Sequence, residues 1–83
     1  MQAKIIGVPL PEAKRGRIGY QVEIGGISAT AYEHKQNGKN SVSIERATGE
    51  LNAEQTAAIH AAVRRWRDIH RAEHASLRKG LGW

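Results

Sequence analysis

Eighty-three residues without a cysteine make one domain with a modest core, and exclude both disulfides and thiolate metal sites. Thirteen Lys and Arg against eight Asp and Glu give a formal charge of +5. That balance favours an anionic partner and argues against a protein that mimics DNA. Nothing approaches the ~18 apolar residues that span a membrane, and the first apolar run is short and interrupted by Pro9 and Pro11, unlike a signal peptide. The chain is expected to be soluble and cytoplasmic, with no membrane association and a single domain over residues 1–83.

The N-terminal "AKIIGV" is predicted as a strand, joined through a loop "PLPEAKRGR" that carries a basic cluster, Lys14, Arg15 and Arg17. In "IGYQVEI" the apolar residues Ile18, Tyr20, Val22 and Ile24 alternate and share one face. Gly25-Gly26 follows, a two-residue hairpin signal because both positions tolerate positive φ. That turn pairs Ile24 with Ile27, Val22 with Ala29 and Tyr20 with Ala31, all on the same face, so turn and pattern agree on register. Asn37-Gly38 in "QNGKN" is a type I′ signal; it sets Ala31 against Ile44 and Glu33 against Val42. The other face collects Gln21, Glu23, Ser28, Thr30, Tyr32, His34, Ser41, Ser43 and Glu45, and is expected to be solvated or to face a ligand.

From Asn52 the period changes to that of a helix. Asn52 suits an N-cap, Gln55 completes a capping box, and Gly80 is a stop signal. Ile59, Val63, Trp66 and Leu77 fall on one stripe, with Ala62 and Ile69 at its edge. The expected architecture is α+β, ββββα: an antiparallel three- or four-stranded meander over residues 1–51, one long C-terminal helix over 52–79 packed on one face, and a short tail over 80–83. Such a helix would be ~40 Å long, against ~23 Å for strands of about seven residues. It must break near residue 70 or overhang the sheet, and an overhang invites a homodimer through the helix. Trp83 is expected either to fold back onto the core or to anchor a partner.

Two patterns on the helix bear on function. "HRAEH", His70 to His74, matches the H-x-x-E-H signature of zinc proteases, with both histidines on one helical face. A catalytic zinc needs a third protein ligand, and no Asp, Glu, His or Cys follows His74. Protease chemistry is therefore not expected, nor is any metal or other cofactor. The second pattern is basic: His60, Arg64, Arg67, Arg71, His74 and Arg78 recur at steps of four and three. They fill roughly an 80° sector of the wheel over ~27 Å of helix. Asp68 falls outside that sector. Arg forks suit phosphate and carboxylate, and a face of one sign differs from a solubilising face that mixes both.

The expectation is a small non-catalytic module that contacts nucleic-acid phosphates, or a nucleoprotein complex, through the Arg/His stripe and the Lys14, Arg15 and Arg17 cluster. The alternative is an inhibitor or adaptor of the phage anti-defence (anti-CRISPR-like) class. It would dock the same stripe on an acidic protein surface, with Tyr32 and Trp83 as anchors.

Overall fold

The computed structural model describes residues 1–36 and 38–83. Four antiparallel strands lie in chain order in one sheet: β1 (Lys4–Glu12), β2 (Arg17–Ile24), β3 (Ile27–Gln36) and β4 (Lys39–Glu45). Gly25 and Gly26 adopt φ of 53° and 79°, the left-handed conformation that the tight turn requires and that glycine adopts without a Cβ clash. The β2–β3 register is the expected one, Ile24 opposite Ile27, Val22 opposite Ala29 and Tyr20 opposite Ala31. Across the next hairpin Ala31 faces Ile44 and Glu33 faces Val42. Gly38 has φ 77°; the Asn37 half of that turn lies outside the described residues.

The first strand differs from expectation. It continues through Pro9 and Pro11 to Glu12, so the connection shrinks to a turn over residues 13–16 and Arg17 opens β2. Both prolines are tolerated because β1 is an edge strand with one side free of ladder bonds. A register shift between Ile6 and Leu10 absorbs Gly7 at φ 70°.

Two helices replace the single long one: α1 (Ala53–Ile69) and α2 (Arg71–Gly80). The start is as expected, with Asn52 Oδ1 accepting from the Gln55 backbone N–H at 2.8 Å and Gln55 Oε1 accepting from the Asn52 N–H at 2.9 Å. The break falls at His70, whose φ and ψ of −111° and 50° leave the helical region. An unbroken helix of ~40 Å would exceed the longest dimension of the molecule, 34 Å. Ile59, Ala62 and Val63 are buried against Ile18, Tyr20, Val22, Ile24, Ala29 and Ala31. Trp66 sets its ring edge-on to Tyr20 at 5.7 Å. Leu77, Leu81 and Trp83 also pack against this core, so the tail folds back rather than standing free. Ile69, expected at the edge of the stripe, is 68% exposed.

The outer face of the sheet is solvated in part: Gln21, Glu23, Ser28, Ser41 and Glu45 are exposed, while Thr30 and Tyr32 are buried. Tyr32 is only 2% exposed, because its ring lies beside Gly19, where a Cβ would meet Tyr32 Cε1 at 3.2 Å. Arg17 covers the ring, its guanidinium 3.5 Å from the centroid, and bonds to Glu12 at 2.7 Å and to Glu45 at 3.2 Å. The Arg17 bond also holds the Glu12 carboxyl below its ordinary range. Thr30 bonds to Gln21 and His34 to Ser43. No helix among the described residues is long and apolar enough to cross a membrane.

Candidate functional site

Glu33 organises the other face. It sits on β3 in phase with Ile27, Ala29 and Ala31, and so points under the helices, where it is fully buried. A lone carboxylate there would be prohibitively costly, and four elements supply donors. Tyr20 Oη of β2 donates to Oε1 at 2.7 Å. Arg67 Nη1 of α1 and Asn40 Nδ2 of β4 donate to Oε2 at 3.0 and 3.1 Å. His74 Nε2 of α2 lies 2.9 Å from Oε1 and 3.2 Å from Oε2.

Burial alone would raise the Glu33 carboxyl, but the bonds from Tyr20, His74 and Arg67 outweigh it and hold the group below the ordinary carboxylate range. Burial, reinforced by the bond to Glu33, pushes the Tyr20 phenol far up, so it stays a donor. An ionised Glu33 offers only acceptors. His74 Nε2 therefore carries the proton in that bond, and Nδ1 is the nitrogen left over.

Above this carboxylate lies an open groove of about 400 Å³ lined by Asn40, Arg67, Asp68, Arg71, His74, Ala75 and Arg78. Arg67, Arg71, His74 and Arg78 of the basic stripe thus come together. His60 and Arg64 do not line the groove, and the break at His70 interrupts the continuous row that the wheel implies. Two charges alter the expected pure basic face: Asp68 lines the groove, and Glu33 is buried beneath two of its basic residues. Glu33 pairs with Arg67 and His74, whereas Arg71 and Arg78 form no salt bridge among the described residues. Arg78 Nε is enclosed and has no hydrogen-bond acceptor among the described residues.

The remaining candidates are dispersed. Lys14 and Arg15 border a separate hollow with Glu12 and Ala13. Arg17 is 5% exposed and committed to Glu12, Glu45 and Tyr32, so neither Arg17 nor Tyr32 is presented to a ligand. Trp83 is half-buried on the core, which reduces it as a free anchor. His70 stacks on Trp66 with centroids 4.7 Å apart, beside a second groove, while His74 turns to Glu33. The two histidines of the H-x-x-E-H match therefore face different surroundings. Among the described residues, no three His, Cys, Asp or Glu side chains are grouped to hold a metal.

Glu33 and Asn40 are the site residues that the basic pattern alone does not reveal. The signal for Glu33 was its phase, an acid on the apolar face of a strand, where unpaired carboxylates are almost never found. No family model matches the chain, no curated protein matches it, and no solved structure matches it.

Proposed function

We propose that the chain is a small non-catalytic binding module that contacts nucleic-acid phosphates through the groove of Arg67, Arg71 and Arg78. One observation carries this reading: three guanidiniums from two helices converge on one open groove, and two of them have no carboxylate of their own among the described residues. Guanidinium forks give charge-assisted, often bidentate bonds to phosphate. The buried Glu33 holds Arg67 and His74 in place before any ligand arrives, which lowers the ordering cost of binding.

Fluorescence anisotropy with labelled duplex tests it. Three phosphate contacts at ~0.9 counterion each predict a loss of about fortyfold in affinity between about 50 and about 200 mM salt. Arg71→Gln and Arg78→Gln should each flatten the salt slope by about one contact. Absence of binding at the lower salt contradicts the reading.

A second reading, an inhibitor or adaptor that docks on a larger protein, has an observation of its own. Ile6, Val8 and Leu10 of β1 are 45%, 76% and 68% exposed, an apolar group away from the Arg groove. Pro9 and Pro11 blunt this edge against strand addition, so side chains rather than backbone would make the contact. Val8→Lys would then abolish capture of the partner and leave nucleic-acid binding unchanged.

A further inference from the structure

We infer that the groove between α2 and the β4 end of the sheet is a site for a phosphomonoester, the terminal phosphate of a nucleic-acid strand or of a nucleotide, rather than a track for internal phosphodiesters. The inference rests on the phosphate-binding reading above and narrows its ligand.

The donors are too many and too convergent for a diester. An internal phosphodiester presents two non-bridging oxygens and one negative charge. A phosphomonoester presents three oxygens and, near neutral pH, approaches two charges. The groove is lined by Arg67, Arg71, Arg78, His74 and Asn40. Of these, Arg67 gives one nitrogen to Glu33 at 3.0 Å and His74 gives Nε2 at 2.9 Å, and each retains further nitrogen atoms. Arg71 and Arg78 are committed to no carboxylate among the described residues, and Arg78 Nε is enclosed with no acceptor.

Charge points the same way. Three guanidiniums face two carboxylates, Glu33 beneath and Asp68 at the rim, which leaves the groove with a net positive charge.

The test uses one oligonucleotide sequence in three forms, with a 5′-phosphate, with a 3′-phosphate and with neither, measured by competition anisotropy on the intact chain. AMP, inorganic phosphate and sulfate are the small competitors. The expected result is a tightening on the order of tenfold for at least one phosphorylated end, as for one added set of charge-assisted bonds. Arg71→Gln with Arg78→Gln should erase that difference while far-UV circular dichroism stays unchanged. AMP as tight as the phosphorylated strand would assign the site to free nucleotides, and weaker AMP would assign it to strand ends; both keep the phosphomonoester. Equal affinity for phosphorylated and unphosphorylated strands overturns the inference while the phosphate-binding reading survives. Failure of every strand and every small anion to bind overturns both.

Discussion

At the scale of single residues, Glu33 determines the site. Its phase with Ile27, Ala29 and Ala31 is legible in the sequence, and so is the physical demand that a carboxylate on that face be paired. Its donors are not legible, because Tyr20, Asn40, Arg67 and His74 come from four elements whose contact depends on how the helices cross the sheet. The outer face shows the opposite limit. Alternation puts Arg17 and Tyr32 outward, as found, but direction is not exposure. Gly19 opposite Tyr32 leaves room for the ring to lie down under the Arg17 guanidinium, and that glycine was the available clue.

Glu33→Gln keeps the shape and removes the charge, leaving Arg67 and His74 without their carboxylate. It should cost about 2–3 kcal/mol near pH 7, below the full penalty for a broken buried pair because Arg67 can reach water. The sign with pH follows from the lowered native value of Glu33. An unfolded glutamate titrates near ~4.3, so the wild-type advantage is present above that pH and is lost as pH falls through the lower native value. Urea midpoints measured from about pH 7 to about pH 2 should show a constant gap between wild type and variant, closing below about pH 4. A gap that persists at the acid end would mean that the charge of Glu33 is not what stabilises the fold.

At the scale of elements, the two central hairpins were readable because Gly-Gly and the second turn signal agree with the apolar alternation on either side. The start of α1 was readable from its capping box. The break at His70 was legible only as one of two outcomes, because the length mismatch called for a break near residue 70 or an overhang and neither Gly nor Pro stands there to decide. Its causes are tertiary: the length of the sheet, the bond of His74 to Glu33, and the packing of Leu77, Leu81 and Trp83 on the core. β1 was underread because Pro9 and Pro11 resemble loop punctuation, whereas an edge strand tolerates both. As α2 is held by few apolar side chains, Leu77→Ala should remove about 1–2 kcal/mol of packing. Amide hydrogen exchange should quicken in α2 well before it quickens in α1 or in β2 and β3. Equal acceleration throughout would show that α2 unfolds only with the whole domain.

At the scale of the whole molecule, the two faces divide the labour. The outer sheet face ties part of its polar surface together, with Arg17 linking Glu12 to Glu45 across Tyr32. The helical side buries the core beneath α1 and gathers Arg67, Arg71 and Arg78 over Glu33. The net charge of +5 favours the approach of anions, and under the proposed function the arrangement of charge, not its sum, selects the groove. The sequence pattern identified the basic residues and the structure divides them: four around one groove, His60 and Arg64 on α1 outside it, Lys14 and Arg15 at a separate hollow, and Arg17 committed to the sheet.

The most direct measurement is an amide and side-chain NMR titration of the intact chain with a short 5′-phosphorylated strand. Shifts should concentrate in the amides of residues 71–80 and in the side-chain NH₂ of Asn40, with Gln21, Thr30 and Ser43 on the outer face unmoved. Shifts centred instead on the outer sheet face, or on Ile6, Val8 and Leu10 of β1, would contradict the proposed function.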